Sequence, residues 1–203
     1  MLELGNLASS LAPFNVSAVS ESLGANSQES GLVVTLELFF AAISSLFFGT
    51  VSYKGKALAF CGSLIVICSY FLCSIASDVN QITFIKAFSG IGCGMLIASG
   101  HSILASSNDP NRSYAIFTIF ASLTAAALIY ISSTWIEDGG HQNYFFNFIY
   151  VYLALSLFFV FANKINQAST DNAKGSISNR FLYFLLIAAV LFYEIPSSGM
   201  WAF

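Results

Sequence analysis

Charge is what this sequence lacks. Only 8% of its 203 residues are Asp, Glu, Lys or Arg, against roughly a quarter in soluble domains. Seven basic and ten acidic residues are too few to cover a soluble fold of this length. Polar, aromatic-poor composition is also missing: 57% of the chain is hydrophobic and 16% aromatic, which excludes a disordered chain. Positive charge is scarce enough, at a net −3, to exclude a nucleic-acid module. The four cysteines, Cys61, Cys68, Cys73 and Cys93, lack metal-ligand spacing and read as small apolar fillers. No Ser/His/Asp set and no carboxylate pair on one helix face stands out, so neither a metal, a cofactor nor an enzyme activity is expected. His101 stands alone in a span, and His141 falls in a loop.

What is present is apolar runs of membrane length. A hydrocarbon core of about 30 Å needs about 20 apolar residues of helix. Residues 57–77, 87–108, 113–136 and 142–163 carry no Asp, Glu, Lys or Arg; 31–53 hold one acid within the run, Glu37, and 181–203 hold one, Glu194. Residues 1–20 are weaker but mostly apolar. No Lys or Arg precedes Lys54, so residues 1–20 lack the basic start of a signal peptide and read as a span. These runs are twice a barrel strand and do not alternate. The expected fold is therefore all-α, a polytopic membrane helix bundle.

The loops give an orientation. Lys54 and Lys56 follow the second span, Arg112 precedes the fifth, and Lys164, Lys174 and Arg180 follow the sixth. The intervening loops, 22–30, 78–81 and 137–143, carry Glu29, Asp78, Glu137 and Asp138 and no basic residue. By the positive-inside rule the basic loops and the amino terminus are cytoplasmic, in a multi-pass protein of the cell membrane. Tyr53 and Tyr114 at the inner edge, and Trp135 and Tyr144 at the outer, fit interfacial belts. The organisation expected is a six-helix bundle over 1–163, a polar cytoplasmic linker over 164–180 and a seventh helix over 181–203.

Few residues within these spans bear chemistry. Lys86 lies about 6 Å into the fourth span and Glu37 about 9 Å into the second, both from the outer side. Two readings stand: the charges pair across the helix interface, or Lys86 snorkels to the outer surface. A paired, buried carboxylate is a candidate proton carrier. Glu194 precedes Pro196, Ser197, Ser198 and Gly199, which weaken the helix; it reads either as pore-facing or as part of a fraying end. Gly90, Gly94 and Ala98 recur every four residues and form a small-residue face for close helix packing. Their setting is not a dinucleotide fingerprint, because no strand precedes them. Asn15, beside Pro13, reads as a polar cavity group or as the partner of a neighbouring carbonyl.

In this order and sidedness the chain resembles the amino-terminal half of a major facilitator superfamily transporter. Gly49, Lys54, Gly55 and Lys56 resemble the family's loop motif after the second helix, with Tyr53 near the place of its Asp and Ala57 at its second basic position. Lys86, Gly90 and Gly94 resemble its fourth-helix motif, with Lys where Arg is usual, and Asp109 to Arg112 resemble the turn before its fifth helix. The resemblance implies a proton-coupling role for Lys86, two three-helix repeats, and a seventh helix that adds Trp201 as a further cavity candidate. It also implies a second six-helix half, so that the chain is a fragment, a truncated frame, or one of two chains. The expected function is secondary transport of a small solute by alternating access, with protons as the candidate driving ion. The alternatives are a seven-helix receptor-like protein and a membrane scaffold without transport. A retinal protein would need a Lys in residues 181–203, where there is none.

Overall fold

A computed structural model describes residues 1–50 and 55–161, with side chains to Leu157. All the described helices belong to one compact unit, Met1–Ile165. The expected linker, the seventh helix, Lys54, Glu194 and Trp201 lie outside the described residues. The fold is an all-helical membrane bundle of α1 (Leu2–Ser10), α2 (Ala12–Leu23), α3 (Ser27–Thr50), α4 (Gly55–Ile75), α5 (Val79–Ala105) and α6 (Pro110–Phe161). Helices satisfy their own backbone, which lipid requires. Among the described helices four are long and apolar enough to cross a bilayer, α3, α4, α5 and α6. The surface is inverted relative to a soluble protein: Phe47, Phe84, Phe120 and Leu123 are exposed, while Asn15, Glu37, Lys86 and Ser89 are buried.

Local sequence explains the breaks. The expected first span is a kinked pair, α1 and α2. Pro13 sits in the first turn of α2 and has no N–H to continue the ladder. Hydrogen bonds from Leu11 N to Leu7 O and from Asn15 N to Leu11 O, each 3.0 Å, carry the chain across the kink. Gly24 ends α2 in the left-handed conformation, φ 64°. The Glu29 amide then donates to Asn26 Oδ1, and the Asn26 amide to Glu29 Oε2, a reciprocal cap that starts α3. Pro110 opens α6, and Asp109 Oδ1 accepts from the Arg112 amide at 3.1 Å.

The fifth and sixth spans are the two arms of α6, parted at Gly139 and Gly140 (φ 61°, ψ −152°). That conformation is open essentially to glycine alone, and a Cβ at Gly140 would strike the Ser22 hydroxyl. The expected loop 137–143 is thus reduced to these two glycines. His141 is not a loop residue: it is buried in the first turn of the second arm. Its amide donates to Ser22 Oγ at 2.7 Å, and its ring Nε2 lies 3.0 Å from Ala76 O. Three chain segments are tied together at the end of the bundle that carries Asp78, Glu137 and Asp138.

Two further expectations are corrected. Tyr144 is not part of an interfacial belt; it is fully buried, with its ring centroid 4.9 Å from that of Phe148. Cys61 and Cys68 do not fill the interior, for both are exposed on α4; only Cys73 and Cys93 are buried. The faces of α4 that look outward are apolar in any case, so hydropathy alone does not separate the two sides in a membrane helix.

The helix α5 is the hub, packed against α1, α3 and α4. Gly90 and Gly94 lie against α3, where a Cβ on Gly94 would come within 2.5 Å of Ala41 O. On another side Gly92 faces Gly62 of α4, each Cβ position 2.8 Å from the other's carbonyl oxygen. Small residues on more than one face of a helix allow close backbone approach on each.

Candidate functional site

The hub brings the scarce charges together. Lys86 on α5 extends its ammonium to Glu37 on α3, with Nζ 3.1 Å from Oε2 and 3.2 Å from Oε1. Both side chains are fully buried, so Lys86 does not snorkel to the surface. The close fit of Gly90 against the Glu37 carbonyl is what sets α3 near enough for this contact. Asn15 on α2 accepts from Lys86 Nζ through Oδ1 at 3.3 Å. Ser89, three residues past Lys86 and therefore on its face of the helix, donates to Glu37 Oε1 at 3.0 Å.

Aromatic rings close the remaining side. The ammonium lies 4.0 Å from the ring centroid of Tyr70 on α4 and 5.0 Å from that of Phe145 on α6, distances at which a ring face attracts a cation. Tyr70 packs on Phe145, Phe148 and Tyr152, and Tyr152 Oη donates to Leu4 O at 2.9 Å. Five helices therefore contribute to one charge-neutral cluster: α2, α3, α4, α5 and α6. Pairing lowers the cost of holding a cation and an anion at membrane depth. One donor is left over, because Asn15 Nδ2 is buried without a partner among the described residues.

The other sequence-derived candidates sit apart. Gly49 lies in the last turn of α3 and Gly55 and Lys56 begin α4, while Arg112 is exposed in the first turn of α6. Near the same end His101 Nδ1 lies 3.1 Å from Tyr114 Oη, a polar contact between α5 and α6. Among the described residues no three His, Cys, Asp or Glu side chains gather as a metal site would require. Sequence reasoning missed Ser89, Tyr70 and Phe145. The spacing from Lys86 is a usable signal for Ser89; the two rings carry none, since the spans are rich in aromatics.

No curated protein and no solved structure matches the chain. The family model described as Major Facilitator Superfamily matches residues 4–202, nearly the whole chain. A membrane helix bundle with a buried ion pair, matched over that length, belongs to the Major Facilitator Superfamily of transporters.

Proposed function

We propose that this transporter moves a small solute by alternating access and that the Glu37–Lys86 pair couples the movement to protons. The observation that carries the reading is the complete burial of both charges within the bundle of Met1–Ile165 itself. An ion pair that deep contributes little net stability compared with apolar residues of similar volume, which leaves room for a functional reason. A proton arriving on Glu37 changes the cluster from neutral to singly positive. Lys86 then keeps Asn15, Tyr70 and Phe145 as neighbours but loses its counter-charge. The contact between α3 and α5 weakens at the place where Gly90 holds them closest, and the helices repack.

Glu37 and Lys86 then act in coupling through helix packing rather than through contact with solute. The six spans would form two three-helix repeats with a cytoplasmic amino terminus. A second six-helix half, in the same protein or another chain, would complete the solute cavity.

The test is uptake by the complete transporter in vesicles, with and without an imposed proton gradient. Glu37→Gln and Lys86→Ala are expected to abolish gradient-driven uptake while solute exchange at equal pH persists. Wild-type rates and wild-type proton dependence in both variants would overturn the coupling role.

A further inference from the structure

The end of the bundle that carries the acidic loops also has a groove. It lies between the last turns of α4 and the break in α6 and has a volume of about 520 Å³. One side is apolar: Phe71, Ile75 and Phe146 line it and are 49%, 63% and 43% exposed. The other side is polar, with Asp138, Gln142 and Asn143. Asn143 is already engaged, donating to Trp135 O at 3.1 Å and accepting from Asn147 Nδ2 at 3.0 Å. Asp138 and Gln142 are exposed, and their side chains make no hydrogen bond among the described residues.

The groove is thus amphipathic along one direction. Its apolar wall belongs to residues at the ends of membrane-length helices, and its polar rim sits where those helices stop. A phospholipid has the same layout, an acyl chain below and a head group above. The charge at this rim selects among head groups. Glu137 and Asp138 are adjacent, Asp78 begins the neighbouring α5, and the connections at this end, 22–30, 78–81 and 137–143, contain no Lys or Arg. A head group of net negative charge, with no cation of its own to place on the acids, is repelled there. A primary ammonium offers three N–H donors to the Asp138 carboxylate and the Gln142 carbonyl, and charge-assisted bonds of this kind are the stronger ones. A trimethylammonium head group has the charge but no donor.

We propose that this groove seats a phosphatidylethanolamine, its ammonium on Asp138 and Gln142 and an acyl chain along Phe71, Ile75 and Phe146. The site is separate from the Lys86 cluster and does not depend on the coupling mechanism.

The experiment uses the full chain with Trp201→Phe, which leaves Trp135 as its sole tryptophan, beside the groove. It is reconstituted in vesicles of phosphatidylethanolamine, phosphatidylcholine and phosphatidylglycerol in equal parts. One lipid at a time carries bromine on its acyl chains, and quenching of Trp135 reports which lipid sits nearby. The expected result is preferential quenching by brominated phosphatidylethanolamine, an affinity advantage of about fivefold, the order of one surface charge contact. Asp138→Asn removes the preference, and Glu137→Gln, which alters the adjacent acid outside the groove, keeps it. Equal quenching by the three lipids, weak quenching by all of them, or a preference that survives Asp138→Asn would overturn the proposal. So would its equal loss in Glu137→Gln, which would reduce the effect to the general charge of this end.

Discussion

Gly90 has no side chain because the main-chain carbonyl of Glu37 occupies the place where one would begin. The same contact holds the Glu37 carboxylate against Lys86, one turn away on α5. Packing and charge are therefore one feature at this point, and substitutions there should report on both.

Gly90→Ala inserts a methyl group into that contact and is expected to destabilise the bundle by about 1–3 kcal/mol, as overpacking does. Gly31→Ala on α3 is the control, since nothing lies within 4 Å of a Cβ there. In a helix interior the same exchange gains up to about 1 kcal/mol from propensity. Thermal unfolding in detergent should move the two variants in opposite directions.

Lys86→Met alone strands a buried carboxylate, and Glu37→Leu alone strands a buried ammonium. Each is expected to cost about 3–5 kcal/mol. The double variant removes both charges and should recover most of that loss. Unfolding free energies from the four proteins of this cycle give the coupling directly. The recovered double variant, folded but uncharged, should still lack proton-driven uptake.

Gly140→Ala forces a side chain into a backbone region that costs about 1–3 kcal/mol and into the Ser22 hydroxyl. Ser22→Ala only removes the acceptor of the His141 amide, a loss of about 1 kcal/mol. Melting temperatures should rank wild type above Ser22→Ala and Ser22→Ala above Gly140→Ala.

Pro13→Ala restores a backbone donor for the Ser9 carbonyl and so allows α1 and α2 to run as one straighter helix. Asn15 lies two residues further on, and straightening the chain there is expected to shift its side chain from Lys86, to which it is bonded at 3.3 Å. The expected outcome is a melting temperature equal to or above wild type, with reduced proton-driven uptake in the complete transporter. Paired unfolding and uptake measurements separate the two effects.

The helical membrane fold was legible because composition alone excludes the alternatives: no other architecture accommodates several uncharged runs of this length. Lys86 and Glu37 were legible as candidates because a charge inside such a run is costly enough to need a reason. Their environment was not. Tyr70 and Phe145 approach Lys86 from other helices, and nothing in a one-dimensional pattern distinguishes them from the many rings that face lipid. His141 was misplaced for a related reason. Its surroundings, Asp138, Gly139, Gly140 and Gln142, have turn composition, yet the turn needs only the two glycines and the helix resumes at once. Cys61 and Cys68 show the converse limit, since a small apolar residue is as acceptable to lipid as to a protein interior.

The order of the two partners along the chain has a consequence for biogenesis. Glu37 is made 49 residues before Lys86, so its helix reaches the bilayer while its counter-ion is still unmade. A lone acid is costly at membrane depth, so α3 is expected to be held more firmly in the bilayer once α5 lies beside it. Chains halted before and after Ala105 would show this as a difference in extraction from the membrane.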